Sequence, residues 1–399
     1  MDTQRLIAKR ARDLHESGIR RILGMASSMS DPINLSIGQP DFHVDPAIRA
    51  AACAGIEEHR NGYTLTQGDG DLLARTAAYL GEDCGWKVSA HGAKNGGETT
   101  CMVTSGTSGA LTLAFLALLD PGSECIIPDP YFVSYPHLAT MAGAVPVACD
   151  TYPDFRLTAA RVEPMLTDKT RFVLLNSPSN PAGVVLTKRE CADLLDLCRS
   201  RGVLLISDEI YDEFCYPEAK TDRMAARADV ARCPSPARLP GAEETVLLIR
   251  GFGKTYGVTG WRLGYVAGPR AVVSEMAKLQ QYTFVCAPSA LQRGAIACFD
   301  ADMGPHVAEY KRRRELVVER LGEVTEVPTP GGAFYAFFRV PARMRMTGTQ
   351  FVEKAIERQV LTIPGACFSG RDTHVRLSFA TAMRNLERGL DVLVEMMRA

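Results

Sequence analysis

Four short stretches pair chemically capable side chains with the small residues that let a backbone turn tightly. The first is Gly251-Phe-Gly253-Lys254-Thr-Tyr256-Gly257. A P-loop requires glycine five positions before Gly253, where Leu248 stands, and a dinucleotide-binding turn requires glycine at position 256, where the residue is tyrosine. Both nucleotide readings fail on spacing. What remains is a lysine just beyond an apolar run, able to act as nucleophile or base if its proton affinity is lowered, although a lysine in a turn is ordinarily a solvated charge. Nearby Arg262, in Thr259-Gly-Trp-Arg262-Leu-Gly264, stays charged at any working pH. The second stretch, Ser207-Asp208-Glu-Ile-Tyr211, closes the apolar run at 203–207. A carboxylate at such a strand end could hold a magnesium ion, pair with a cationic ligand or cap a helix. The third, Asn176-Ser-Pro-Ser-Asn180-Pro-Ala-Gly183, is stiffened by two prolines, and its asparagines suit either a turn or a ligand contact. The fourth, Thr104-Ser-Gly106-Thr107-Ser108-Gly109, precedes an apolar helical pattern starting at Ala110. Backbone N–H groups and hydroxyls gathered at a helix N-terminus make a cradle for phosphate, for which Arg262 is the candidate cation.

These stretches need a scaffold that brings strand ends together. Apolar runs at 103–105, 125–128, 145–148, 172–176, 203–207, 246–250 and 263–267 read as buried strands bounded by Gly, Pro or Asp, with helical patterns between most of them. Thr187-Lys-Arg-Glu190 has the form of a capping box that opens a helix toward Arg201, and Gly202 supplies its stop. Strand, helix, strand in repetition implies an α/β fold with a mainly parallel, doubly wound sheet. The two chain ends differ from this middle. They read as a helix at each outer end with strand-like pieces at 332–339, 360–363 and 374–379. We therefore expect an N-terminal arm over 1–44 that forms part of a small domain, a large domain over 45–299, and the rest of the small α+β domain over 300–399. Residues 217–244, rich in Ala, Arg, Pro and Asp, read as an exposed excursion.

Composition narrows the function classes. Lys plus Arg number 45 against 46 Asp plus Glu, a formal net charge of −1 that argues against a nucleic-acid partner. With 46% hydrophobic and 23% charged residues the 399-residue chain is globular rather than disordered. The longest apolar stretch, 110–119, is interrupted by Thr112 and falls short of the ~20 residues a membrane span needs. Twelve cysteines include no CxxC pair and no zinc-type spacing, so reduced thiols and no metal are expected. The N-terminus has mixed charge and no apolar signal segment, consistent with a cytoplasmic protein.

Taken in order, the groups resemble one family: the class I aminotransferases, fold type I enzymes dependent on pyridoxal 5'-phosphate. The resemblance runs from Leu35-Ser-Ile-Gly38-Gln-Pro-Asp-Phe42 through Tyr63-Thr-Leu-Thr, the turn at 104–109, Pro130-Tyr-Phe132-Val-Ser-Tyr135, and the Asn176, Ser207 and Gly251 stretches to Val375-Arg376-Leu-Ser-Phe-Ala380. It covers nearly the whole chain and is strongest with prokaryotic aspartate and aromatic aminotransferases of broad specificity.

The resemblance implies a role for each motif. Lys254 would bond covalently to the cofactor and, once released by substrate, carry the proton to and from the substrate α-carbon. Asp208 would pair with the pyridine nitrogen. Asn180 and Tyr211 would hydrogen-bond the phenolic oxygen, and Phe132 would stack on the ring. Gly106, Thr107, Ser108 and Arg262 would hold the phosphate, with Tyr63 reaching it from the other subunit of a homodimer with shared active sites. Residues 280–284 would also approach the partner's site. Arg376 would grip the substrate α-carboxylate, helped by Asn180 and Gly38. The implied reaction moves an amino group from an L-amino acid to a 2-oxo acid, with 2-oxoglutarate the expected acceptor and an aromatic, broad-range or aspartate donor. The alternative is a C–S lyase or related carbanion chemistry on the same fold. Two positions depart from the family: many relatives carry serine at Gly251, and some carry at Ser108 a lysine that reads an acidic substrate. Ile37, Phe132, Tyr282 and Phe368 are expected to line the side-chain pocket.

Overall fold

Uninterrupted apolar runs are stable as strands only where both faces of a sheet are covered. In the computed structural model, which describes residues 1, 3–14, 18, 22, 24, 29–90 and 98–399, they assemble into one eight-stranded sheet. Its strands are β1 (Ser89–Ala90), β2 (Thr99–Ser105), β3 (Glu124–Asp129), β4 (Val145–Asp150), β5 (Thr170–Asn176), β6 (Leu204–Asp208), β7 (Val246–Gly251) and β8 (Leu263–Pro269). Across the sheet they lie in the order β1-β2-β8-β7-β6-β5-β3-β4. Only β8 runs antiparallel to its neighbours, so the sheet is mainly parallel, as the alternating pattern implies.

Alternation along the central strands feeds two cores. Val173, Leu175, Leu205 and Leu248 face one side, against α1 (Gly70–Cys84) and α3 (Lys188–Arg201). Phe172, Leu174, Ile206, Leu247 and Ile249 face the other, against α2 (Gly106–Leu118) and α4 (Arg270–Thr283). The capping box at α3 forms: the Thr187 hydroxyl accepts from the Glu190 backbone N–H, and the Glu190 carboxylate accepts from the Thr187 N–H. Gly202 ends the helix in the left-handed region at φ 63°.

A second, antiparallel sheet of three strands, in the order β9 (Tyr335–Arg339), β11 (His374–Ser378), β10 (Ile363–Pro364), packs with α5 (Gly304–Gly322) and α6 (Met383–Arg398) into a third core. The strand expected over 360–363 is split in two. Val360–Leu361 pairs in parallel with Ile33–Asn34, and Ile363–Pro364 pairs with β11. The first pairing ties residues following Asn34, including Gly38, to the C-terminal unit. Of the N-terminal helix expected within 1–44, the piece Lys9–Arg12 is helical, and part of that expectation lies outside the described residues. Among the described residues no helix is long and apolar enough to cross a membrane, and no cluster of His, Cys, Asp or Glu could hold a metal ion. All twelve cysteines are free thiols.

The excursion at 217–244 is exposed over much of 217–230, as its composition suggests, but turns inward beyond that. Cys233, Ser235, Ala237 and Ala242 are buried, and two of its arginines enter an ionic cluster beneath the strand ends. Arg250, on β7, reaches Asp83 at 2.8 Å, Glu209 at 2.9 Å and Asp212 at 3.2 Å. Arg238 meets Asp83 at 2.8 Å, and Arg232 meets Glu213 at 3.1 Å. Burial pushes the Asp83 carboxyl up, but Arg238 and Arg250 outweigh it and hold the group well below the ordinary carboxylate range. Removing one partner from such a cluster strands the others. The variant Arg250→Ala should therefore lose about 3–5 kcal/mol of stability, measured as a fall in the urea midpoint of the cofactor-loaded protein. A loss under about 1 kcal/mol would mean that water reaches the cluster and satisfies its carboxylates.

Candidate active site

Parallel register aligns the functional strand ends. Asn176 at the end of β5 sits opposite Asp208 at the end of β6, and Asp208 opposite Ile249 on β7. The Asn176 amide donates to the Asp208 carbonyl at 2.9 Å and its oxygen accepts from the Asn180 backbone N–H at 2.8 Å, which fixes the turn that carries Asn180. The Asp208 carboxylate is buried, accepts from the Tyr135 hydroxyl at 2.8 Å, and has no ion-pair partner among the described residues. Burial pushes its pKa up to about 6, against the lowering effect of the Tyr135 hydrogen bond.

Lys254 lies in the four-residue helix Phe252–Thr255 that follows β7, and its ammonium donates to the Gly38 carbonyl. Burial, then the nearby charges of Arg376 and Arg262, lower its pKa to about 8. On β11, Arg376 is buried with its guanidinium 4.6 Å from the Tyr335 ring centroid and 4.7 Å from that of Phe368. It donates to the Asn180 side-chain oxygen at 3.1 Å and to the Ser36 carbonyl at 2.8 Å, and among the described residues its Nε has no partner and no carboxylate neutralises it.

The turn into α2 supplies the opposite end of the site. Gly106 has φ 66°, a conformation suited to glycine, and a Cβ there would stand 2.8 Å from an Arg262 nitrogen. Arg262 itself is held at φ 54° after the short turn Thr259–Trp261, donating to the Thr259 carbonyl at 3.1 Å and to the Ser108 hydroxyl at 3.4 Å. At Gly251 a Cβ would come within 2.8 Å of the Thr107 methyl and 2.7 Å of Ile210, so a serine there, which the resemblance leads one to expect, would find that space filled.

These residues share one cavity of about 220 Å³. Gly38, Gly106, Thr107, Ser108, Phe132, Asn180, Asp208, Tyr211, Lys254, Arg262 and Arg376 all line it. Tyr63 does not: it is 84% exposed and lies against Arg60, Leu65 and Asp69 in a separate hollow. Of the residues expected to line the side-chain pocket, Phe132 lines this cavity. Phe368 is buried against the Arg376 guanidinium, while Ile37 and Tyr282 are 40% and 84% exposed and lie outside the lining formed by one copy of the chain. Tyr135 and Tyr335, which also line the cavity, carry contacts that the sequence reading did not assign. Tyr135 stands in the quoted Pro130–Tyr135 motif, three residues from Phe132, whereas Tyr335 has no local signal beyond a tyrosine in a run of phenylalanines.

Residues 30–393 match the family described as aminotransferase class I and II. The chain belongs to that family. It is 35% identical over 382 residues to a putative aminotransferase of Bacillus subtilis, a match covering 94% of each chain. To a probable aspartate aminotransferase of Methanocaldococcus jannaschii it is 32% identical, covering 98% of this chain and 99% of the relative. Among solved structures, an aspartate aminotransferase of Thermotoga maritima superposes with a TM-score of 0.88 at 30% identity, over 98% of this chain and all of that one (100%). An aromatic aminotransferase of Pyrococcus horikoshii superposes with a TM-score of 0.83 at 33% identity, covering 94% and 98%. The protein is thus a pyridoxal-phosphate-dependent transaminase of fold type I, exchanging an amino group between an amino acid and a 2-oxo acid.

The aminotransferase cavity fits that cofactor on its own chemistry. A buried carboxylate without a cation suits a protonated ring nitrogen, a glycine turn closed by an arginine suits a phosphate, and an amine near neutrality suits a carbonyl carbon. With a pKa of about 8 instead of the usual ~10.4, roughly a tenth of Lys254 is uncharged at pH 7, against well under a thousandth of an ordinary lysine. The rate at which cofactor-free protein takes up pyridoxal phosphate should rise with pH up to about 8 and level off beyond it, with borohydride reduction labelling Lys254. A rate still climbing steeply at pH 10 would mean that the lysine keeps an ordinary pKa.

Proposed function

We propose that the cavity residues divide the work of amino-group transfer by charge, and that the enzyme takes large uncharged amino donors at least as readily as aspartate. When bound, pyridoxal phosphate supplies an electron sink for negative charge developing at the substrate α-carbon. Asp208, held by Tyr135 and Asn176, keeps a proton on the ring nitrogen. Because the Asn180 oxygen is engaged by Arg376, its amide N–H groups are left to face the phenolic oxygen together with the Tyr211 hydroxyl. Phe132 covers the ring. The turn at Gly106, Thr107 and Ser108 holds the phosphate with Arg262, and Arg376, with Asn180 and Gly38, holds the substrate carboxylate. Lys254, uncharged in part at neutral pH, carries the proton to and from the α-carbon.

The donor preference rests on one observation. Three cations line the cavity, Lys254, Arg262 and Arg376, and each has one of these tasks, while position 108 is serine. A second substrate carboxylate would enter this part of the site without a dedicated partner, which is costly in a buried setting. 2-Oxoglutarate remains the proposed acceptor, its distal carboxylate met by a mobile or partner-supplied arginine. The same reading makes the enzyme cytoplasmic, in keeping with nine buried free thiols. It divides the chain into an arm (1–44), a cofactor-binding domain (45–299) and a small C-terminal domain (300–399).

Tyr63, Leu65 and Tyr282 are strongly exposed, and Phe284 and Val285 partly so. Such apolar exposure suits coverage by a second copy, and we assign Tyr63 to the phosphate site of a partner in a homodimer.

Two measurements test these assignments. Comparison of kcat/KM across donors should place phenylalanine, tyrosine or methionine level with or above aspartate. An excess for aspartate beyond about a hundredfold, roughly 2.7 kcal/mol, would reveal a further cation that reads the distal carboxylate. For the dimer, inactive Tyr63→Ala and Lys254→Ala proteins, unfolded and refolded together, should regain about a quarter of the wild-type sites, because half the dimers are hybrids with one intact site each. No recovery from hybrids shown to have formed would place Tyr63 in its own subunit's site or outside any.

A further inference from the structure

In Phe334-Tyr335-Ala336-Phe337-Phe338 the single hydroxyl occurs at the one position of the run that lines the cavity. All five residues are buried, and phenylalanine would fill the same volume without a polar group to satisfy. Strand register explains where the ring goes. Phe337 pairs with Arg376 across β9 and β11, so Tyr335, two residues along, is its diagonal neighbour on the same face. There the ring packs against the guanidinium, which also lies over the ring of Phe368. Phe368 is in turn tied to the segment following β3, its carbonyl accepting from the Tyr131 N–H at 2.8 Å.

The hydroxyl leads elsewhere. It lies 3.0 Å from the Tyr211 hydroxyl, and a Cβ at Gly38 would overlap it, so the Gly38 backbone closes over it. Neither hydroxyl has another hydrogen-bond partner among the described residues. Two hydroxyls sharing one hydrogen bond leave one proton over. With Tyr211 at the phenolic oxygen as proposed above and the Gly38 backbone closed over the Tyr335 hydroxyl, donation from Tyr211 leaves the Tyr335 proton without an acceptor, whereas donation from Tyr335 leaves the Tyr211 proton for that oxygen. The second arrangement uses every proton.

We propose that Tyr335 is a positioning residue for amino-group transfer: its ring fixes the plane of Arg376, and its hydroxyl directs the Tyr211 proton toward the cofactor's phenolic oxygen. The inference rests on the roles given above to Arg376 and Tyr211. It joins the group that holds the substrate carboxylate to the group that tunes the cofactor through one rigid side chain. Tyr211 is faced by Arg376 and Asp208 besides Tyr335, and Tyr335 by Arg376 and Tyr211; the variant Tyr335→Phe leaves those charges in place.

The test uses pyridoxal-phosphate-loaded enzyme and two readouts other than turnover. The first is the midpoint of its visible absorbance change with pH, which rises when the phenolic oxygen loses a hydrogen-bond donor. The second is the affinity for 3-phenylpropionate, a carboxylate that cannot react. Tyr335→Phe should raise the midpoint by about 0.4–1 pH unit, less than Tyr211→Phe does, and the double variant should go no further than Tyr211→Phe alone. It should bind 3-phenylpropionate within about twofold of wild type, whereas Tyr335→Leu should bind roughly 3–30-fold more weakly. A midpoint that moves in Tyr211→Phe but not in Tyr335→Phe, or shifts that add in the double variant, overturns the inference and leaves the role of Tyr211 standing. Equal loss of carboxylate affinity in Tyr335→Phe and Tyr335→Leu overturns the ring's part in it. An unmoved midpoint in Tyr211→Phe overturns the role of Tyr211 and this inference together.

Discussion

Burying a charge without its opposite is among the more costly arrangements a fold can sustain, and this enzyme sustains two in one cavity. Asp208 has a tyrosine hydroxyl for company and Arg376 has two aromatic rings, an amide oxygen and a carbonyl; among the described residues neither has a counter-ion. They do not neutralise each other because they sit on different sheets, one at the end of β6 and the other on β11. The consequence is a site already polarised for a ligand that is cationic at one end and presents a carboxylate at the other. Lys254 feels the same field. Burial and the two arginines weaken its hold on a proton, which is what a group that must give and take protons near neutrality needs.

Such a site stays open only if its walls do not collapse onto the charges. The strand ends that carry Asn176 and Asp208 are locked by parallel register and by the Asn176 amide bridging to the Asp208 carbonyl. Beneath them, Arg250 gathers carboxylates from α1 and from the segment directly after β6, including Glu209, the residue next to Asp208. Ser207 and Ser235 hydroxyls donate to the same glutamate, so the cluster is satisfied on several sides. A network with this many mutual partners resists displacement. It gives Asp208 a fixed backbone without offering its carboxylate a cation.

At the other end, the proposed phosphate site would rest on backbone geometry as well as on side-chain charge. Gly106 and Arg262 both occupy the left-handed region, one freely and the other at some conformational cost, and the guanidinium lies where a Cβ at 106 would crowd it. Ser108 completes the cradle with a hydroxyl, and the side chains that fill the space beside Gly251 are the Thr107 methyl and Ile210.

Much of this was legible in the residues themselves. Apolar runs separated by helical patterns dictated an α/β sheet, because only a sheet covered on both faces buries such runs. The spacing of Lys254 excluded two nucleotide-binding turns, and the ordered motifs from Gly38 to Arg376 carried the family and most of the cavity lining. Other features depend on pairs of residues far apart in the chain. Tyr335 and Arg376 meet through antiparallel register, and the exposed look of 217–244 conceals arginines whose carboxylates lie more than a hundred residues away in Asp83. Phe368, in the loop between β10 and β11, packs against the Arg376 guanidinium, a contact that only the folded chain reveals. Composition and motif order thus determine which groups are present and on which strands. Which buried charge is neutralised and which is left for a ligand was decided by tertiary packing alone, because desolvation and pairing depend on distances that no local pattern encodes.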